Sequence, residues 1–474
     1  MESLSKLIDR IINRVNINLR ELSFEVDPYI QNVIPLTQLT KFYAFYGVSS
    51  NHPLYFNFAK SSLSGSYFLG KCNVVSSVLY KSDIRGDELK VKGDEFEYKG
   101  SVIKIDEDES IRIKDSYLIK TLVHSYSHDP GNPEELLIKN TFSSHYANIH
   151  GSNVVGCFLG PFSTVDLTTL HACIVGPFSY IQAENLYHHK FEPGTIWIKK
   201  EYNFEFKFVF DPNVLKEYIY VEKGKHPSGK LMEFVDSRKE DFESIYDFIQ
   251  FDLSSPAPET SALNPYAVVK GDTYISDNVL VAQRAYLQEA WMGDGSNAQE
   301  NSYIINSRLN GNNITAHGAK IINSVLSKNI FVGFNSFLYG KKDCPLTIGE
   351  GTIIMPHTII DLIEPLNIPE NFLVWGFIKD QNDLLTHSIS FDKMSKVKDQ
   401  IKIGNMLFKG NGELFISAFK KRIEHILEAN GALYDENKTK MGHAQKGQKI
   451  SYNTIQPYLS GGMKGIFPTM IIQP

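Results

Sequence analysis

Four of the chain's 14 histidines, His124, His128, His145 and His150, fall between residues 124 and 150, a clustering that points to shared chemistry. Three neutral imidazoles with a fourth position left to water make an open zinc site. There the metal lowers the pKa of the bound water and generates hydroxide near neutral pH. The interval from His128 to His145 is close to the roughly 18 residues that three hexapeptides span in one coil of a repeat structure. They could therefore lie one above the other, with either His124 or His128 as the first ligand. His145 and His150 are five apart, so they straddle a corner and can face different ways. A second chemistry needs only one imidazole: His317, His357 or His188 could act as general base on a substrate hydroxyl or amine during acyl transfer.

The elements that hold these side chains follow from a period of six. In VVKGDTYISDNVLVAQRAYL, Val269, Ile275, Val281 and Leu287 recur at every sixth residue, and the pattern returns at Val332, Leu338, Ile348, Ile354 and Ile360. Six is neither a helical nor a strand period. With small or polar residues beside each aliphatic it is the hexapeptide pattern, in which three short strands make each coil and the aliphatic side chain points inward. The fold class is therefore mainly β, a left-handed parallel β-helix, whose crossovers contravene the usual right-handed preference. A less regular run lies earlier, with Leu159 and Val165, then Val175 and Ile181, each pair flanking a Gly-Pro-Phe-Ser phrase. Residues 68–88 and the pair Ile105/Ile111 read as further coils.

Five segments result: an N-terminal helical docking segment (1–62), a first hexapeptide section (63–184), an inserted α+β subdomain (185–263), a second hexapeptide section (264–378), and a C-terminal helix with an irregular tail (379–474). The first segment opens with apolar residues at helical spacing behind Ser3 as a candidate cap. Alternation in IWIKKEYNFEFKFVF predicts a hairpin in the insertion, and DSRKEDFESIYDFIQF an amphipathic helix. Residues 414–430, stopped by Gly431, read as the last helix.

A net charge of -6 and a pI near 6.2, with no long basic run, argue against nucleic acid or an anionic membrane as partner and favour a small-molecule substrate. No stretch reaches the roughly 18–20 apolar residues of a membrane span, and the opening residues do not read as a signal peptide, so a cytoplasmic location is expected. The four cysteines, Cys72, Cys157, Cys173 and Cys344, lack metal-type pairing and are expected to be small core residues.

Three phrases occur in a telling order: Asp83-Ile84-Arg85-Gly86-Asp87-Glu88, then His124 or His128 with Asp129-Pro130-Gly131, then Ser144-His145-Tyr146-Ala147-Asn148-Ile149-His150-Gly151. This order resembles the gamma-class carbonic anhydrases and their hexapeptide relatives. The resemblance implies zinc or iron held by the histidines at a trimer interface, with Arg85 and Asp87 supporting the interface and orienting the site and Glu88 carrying protons. It implies hydration or hydrolysis of a small substrate by metal hydroxide.

A later set, Val268-Val269-Lys270-Gly271-Asp272, Asn297-Ala298-Gln299-Glu300-Asn301 and Ala316-His317-Gly318-Ala319, resembles the same family independently. There Ile305 and Ile322 occupy the other two histidine positions and cannot bind metal. The chain thus reads as two modules with a metal site in the first, assembling as a homo-oligomer, either a trimer or a dimer of two-module chains. Two other functions fit the same scaffold: an acyltransferase using acyl-CoA or an acyl carrier, with His317 as a candidate base, and a non-catalytic assembly scaffold.

Overall fold

The computed structural model describes residues 1–472 except 31–32, 42, 50–51, 53, 99, 126–134, 247–256, 438–439 and 448–449. Short parallel strands dominate it, stacked as the three-sided coils of a left-handed parallel β-helix. The chain forms two compact units. The first comprises Met1–Thr195, Leu215–Gly229 and Ile450–Pro474, and the second Ile196–Val214 and Lys230–Lys449.

In the first unit Phe142 pairs with Phe158, Phe158 with Ile174, and Ile174 with Lys190, so the regular coil is shorter than three full hexapeptides. Leu159, Val165, Val175 and Ile181 are fully buried inside it. Among the described residues an excursion interrupts the regularity. It holds the hairpin Glu95–Tyr98 with Ser101–Lys104, its base closed where Lys90 meets the buried Glu109 carboxylate, backbone N–H at 3.0 Å and Nζ at 3.2 Å. Ile105 belongs to this excursion, whereas Ile111 lies on the coil strand Ser110–Lys114. Residues 126–134, with His128 and the Asp129-Pro130-Gly131 phrase, lie outside the described residues.

The helix Glu2–Leu19 buries Leu4, Leu7, Ile11, Ile12, Val15 and Leu19. They pack on an outward sheet face made apolar by Val78, Tyr80, Tyr117, Ile119, Phe142, Phe158 and Ile174. Each such aliphatic contributes about 1.5–3 kcal/mol. The expected cap at Ser3 is not what starts this helix. Its N-cap position is Met1, with no side-chain hydrogen bond, and Ser3 lies within the first turn. The expected irregular tail supplies two strands. Ser451–Ile455 pairs antiparallel with Ala44–Val48, and Met470–Ile472 with Phe56–Ala59. Both cover backbone edges that would otherwise be open to pairing with another chain.

In the second unit Tyr286, Tyr303, Lys320 and Phe337 are successive register partners, a coil slightly longer than that of the first unit. Ile275, Val281, Leu287, Val332, Leu338, Ile348, Ile354 and Ile360 form its core, with Val269 partly buried against them. Its turns use asparagine: Asn278, Asn301, Asn306, Asn312, Asn323, Asn329 and Asn335 all have φ between 46° and 58°. Asparagine tolerates this left-handed region better than bulkier side chains do.

The insertion's second strand, Phe204–Val209, pairs with Met406–Gly410. Within 236–251, read as an amphipathic helix, the structure has the helix Lys239–Tyr246, with 247–251 outside the described residues, and a separate helix, Lys230–Asp236, precedes it. They break where the Ser237 hydroxyl and the Arg238 guanidinium both donate to the Phe234 carbonyl, at 3.0 and 2.7 Å. Gly412–Asn430 is capped by the Asn411 side chain and ended by Gly431 at φ 82°. Among the described residues no helix is long and apolar enough to cross a membrane. All four cysteines are free thiols, Cys72, Cys157 and Cys173 buried and Cys344 partly so.

Candidate functional site

The first unit carries a polar column on one sheet. Arg85, His124, His150 and Asp166 each end a strand, and each is the register partner of the next. Adjacent members are one strand spacing apart, about 4.8 Å. Arg85 grips Asp87 two residues on, Nε to Oδ1 at 3.0 Å with a second contact from Nη2 to Oδ2. Burial opposes the Arg85 charge, but the Asp87 carboxylate overrides it and holds the guanidinium above its usual pKa. Gly86 is required between them, because a Cβ there would lie 2.5 Å from Leu89 Cδ1 and 2.9 Å from the Leu69 carbonyl oxygen. His52 Nε2 donates to the Asp87 carbonyl at 2.8 Å and anchors the same turn.

His124 lies 3.7 Å from both Asp87 Oδ1 and Glu88 Oε2. Two carboxylates would favour a charged imidazole. Burial nevertheless wins and lowers the His124 pKa to about 3, so the ring is neutral at physiological pH and these contacts are not ion pairs. Its ring meets His150 edge-on at 5.1 Å between centroids. His150 Nδ1 lies 2.8 Å from Asp166 Oδ1, and Asp166, wholly buried, also accepts from the Tyr180 hydroxyl. A carboxylate on Nδ1 selects the tautomer with its lone pair on Nε2.

His145 takes another course. It occupies a corner, fully buried, with Nδ1 3.3 Å from Ser144 Oγ and its ring edge-to-face with His226 at 4.6 Å. Burial first, then the nearby Lys120 and His226, keeps its pKa well below the usual value. His145 does not join His124 and His150 in a set of donors within 4.8 Å of one another. Five of the residues singled out in the sequence, Arg85, Asp87, Glu88, His124 and His150, thus come together in this unit, and His145 faces away onto the insertion.

The second unit has its own histidine–carboxylate pair. His317 occupies the corner between the strands Ile314–Thr315 and Lys320–Ile322. Its Nδ1 lies 2.8 Å from Glu300 Oε2, with both side chains almost completely buried. Gly318 has φ +73°, and a Cβ there would overlap Asn335 Oδ1, so only glycine fits beside His317. Phe334 flanks the imidazole at 5.4 Å. Lys320 is buried in the same stretch, donates to the Gly318 carbonyl, and is lowered by burial to a pKa of about 7. Ile305 and Ile322 are buried register partners, an apolar pair with no ligand atoms. His357 is a buried corner residue, while His188 is about half exposed beside Glu21.

Sequence reasoning missed Asp166, and quoted Glu300 within a motif without giving it a role beside His317. The signal was present: the step from His150 to Asp166 equals the step between the two Gly-Pro-Phe-Ser phrases, and Glu300 precedes His317 by one coil of the second unit.

A parallel β-helix whose coils bring histidines and carboxylates together at strand ends and corners is the architecture of hexapeptide-repeat proteins. The family described as "Hexapeptide repeat including loop" matches residues 101–223. A crystal structure of a "putative acetyltransferase" from Desulfovibrio desulfuricans G20 is 53% identical over 100% of this chain and 99% of its own, with a TM-score of 0.93. The chain belongs to the hexapeptide-repeat family, alongside that protein. A Bacillus cereus structure carrying the same description matches 34% of this chain and 88% of its own at 12% identity, with a TM-score of 0.14. No curated protein sequence matches the chain.

Proposed function

We propose that the protein is an acyltransferase, moving an acyl group from an acyl thioester of the acyl-CoA or acyl-carrier kind to a hydroxyl or amine. The observation that carries this reading is the 53% identity, along the whole chain, to a protein described as a "putative acetyltransferase". His317 supplies the general base, with the Glu300 carboxylate 2.8 Å from its Nδ1. The acceptor's O–H or N–H gives its proton to His317 Nε2 while its oxygen or nitrogen attacks the thioester carbonyl. The tetrahedral intermediate collapses, the carbon–sulfur bond breaks, and the thiolate leaves with the proton returned by the imidazolium. The products are an ester or amide and a free thiol, and Glu300 stabilises the transient charge.

Thiol release from acetyl-CoA, followed with a chromogenic disulfide against a panel of hydroxyl and amine acceptors, tests this. Acceptor-dependent release that falls about 10²–10⁴-fold in His317→Ala is the expected result. No release with any acceptor, or full activity in His317→Ala, overturns it.

One observation favours a second reading, a gamma-class carbonic anhydrase-like metal centre in the first unit. His124 is held neutral, and His150 has a carboxylate behind it, the arrangement by which proteins orient metal-ligating imidazoles. His124 and His150 would hold zinc or iron, and such a metal supplies hydroxide near neutral pH. Within this unit Arg85 and Asp87 fix the turn beside the pair, and Glu88 stands within reach of His124 to move a proton. Elemental analysis decides it: stoichiometric zinc or iron in the wild type, lost in the His124→Ala/His150→Ala variant, supports the reading, and metal-free wild type removes it.

A further inference from the structure

The second unit carries an open groove of about 440 Å³ that neither reading uses. It runs along a corner of the coils. Asp272 and Glu289 stand at one end, Asn306, Trp291, Arg308 and Val325 lie along the middle, and Lys341 and Lys342 stand at the other end. Tyr274, Trp291, Arg308 and Val325 are successive register partners, so they form one outward column. Tyr274, Trp291 and Val325 are 46%, 40% and 40% exposed. Large side chains grouped in water cost solubility and commonly mark a binding surface.

The column is held rigid before any ligand arrives. Tyr274 stacks on Trp291 at 4.2 Å, and the Arg308 guanidinium lies 4.5 Å over the same indole. Arg308 Nε donates to Asn310 Oδ1 at 2.8 Å, which fixes the guanidinium's direction. Such preorganisation spares a ligand the ordering of long side chains. The floor is closed to hydroxyl chemistry from the protein, since Ser307 and Ser324 donate inward to the Ile305 and Ile322 carbonyls, each at 2.8 Å.

We infer that this groove binds a short anionic saccharide, one bearing a carboxylate or a phosphate. The chemistry at each end narrows the ligand. Asp272 and Glu289 are acceptors for sugar hydroxyls, and Asn306 offers both donor and acceptor. Trp291 and Val325 give the apolar wall against which a ring's C–H face packs. Arg308, Lys341 and Lys342 gather positive charge where the anionic group would lie, with Lys341 also 3.5 Å from Asp361. Carboxylates at the opposite end repel a polyanion such as nucleic acid. The open, polar-floored shape cannot enclose a wholly apolar ligand. The groove crosses four strand steps, on the order of 15–19 Å, enough for two or three sugar rings.

Calorimetry on the full chain tests this with four probes: a uronate-containing disaccharide, a disaccharide phosphate, a neutral disaccharide of equal length, and inorganic phosphate. The expected result is saturable binding of one charged disaccharide at a Kd of about 1 mM or tighter. Whichever of the two binds identifies the anionic group. Trp291→Ala and Lys341→Ala/Lys342→Ala should each weaken it about tenfold or more, with circular dichroism checking that each variant keeps the β-helix. Failure of both charged disaccharides to bind overturns the inference. So does equal binding of the neutral disaccharide, equal binding of inorganic phosphate alone, or undiminished binding in both variants.

Discussion

His150 Nδ1 and Asp166 Oδ1 face each other at 2.8 Å across one coil step, with Asp166 wholly buried and held also by Tyr180. The pair is structural as well as chemical, because a buried polar group that loses its partner costs about 1–3 kcal/mol. Asp166→Asn keeps an acceptor for the His150 N–H and should lower unfolding free energy by about 1 kcal/mol. Asp166→Leu removes the acceptor facing the His150 N–H, leaves the Tyr180 hydroxyl with only Gln182 Oε1 at 3.1 Å, and should cost about 3 kcal/mol or more. Denaturant unfolding of both variants checks the order. A Leu variant as stable as the Asn variant would show that the carboxylate does not organise this strand end.

His124 makes stability depend on acid. Its pKa is about 3 in the fold against about 6.5 unfolded, so between these values the unfolded chain binds a proton that the folded chain refuses. Stability from this source is complete above pH 6.5 and is lost as pH falls toward 3. The loss has an upper bound of about 4–5 kcal/mol, at 1.36 kcal/mol per unit. His124→Gln should flatten the acid limb of a stability–pH curve by about one proton. Identical limbs in wild type and variant would refute this.

The fold was legible because its signal is local. Val281, Leu287, Val332 and Leu338 must all point inward, and a step of six states that directly in the sequence. The C-terminal helix was legible for the same reason, since Gly431 ends it in the left-handed conformation. The site was legible only in part. The register partners of His124, Arg85 and His150, stand at separations that match no multiple of the coil, so no repeat predicts them. His145 reads from the sequence as a metal-ligand candidate, yet its ring neighbour is His226, a residue of the insertion that no periodicity could connect to it. The pairings of Asp166 with His150 and of Glu300 with His317 are invisible to a period built of three exact hexapeptides, because the coils of both units are shorter than that and set the true neighbours.

Gly318 supports His317 through the backbone. At φ +73°, with Asn335 Oδ1 where a Cβ would stand, alanine meets both conformational strain and a clash. Gly318→Ala should destabilise by about 1–3 kcal/mol. Gly318→Ala/Asn335→Ala removes the clash and leaves the strain, so it should recover only part of that cost relative to Asn335→Ala alone. Full recovery would mean that the positive φ carries no penalty, and no cost at all would mean that the corner readily refolds around a side chain.

Lys320 gives the fold an alkaline dependence of opposite origin to an ion pair. Burial lowers its pKa from 10.5 to about 7, so the folded chain sheds a proton that the unfolded chain keeps until far higher pH. Between pH 7 and 10.5 this group makes stability rise with pH, to an upper bound of about 4–5 kcal/mol, and the gain disappears as pH falls through 7. Lys320→Met keeps the length of the stem and removes the titration. It should unfold at higher denaturant than wild type at about pH 6, where the wild-type ammonium is charged and buried, and the advantage should shrink steadily toward about pH 10. A constant difference across that range would mean that Lys320 reaches water in its charged form. A variant less stable at the acid end would mean that the bond to the Gly318 carbonyl outweighs the burial of the charge.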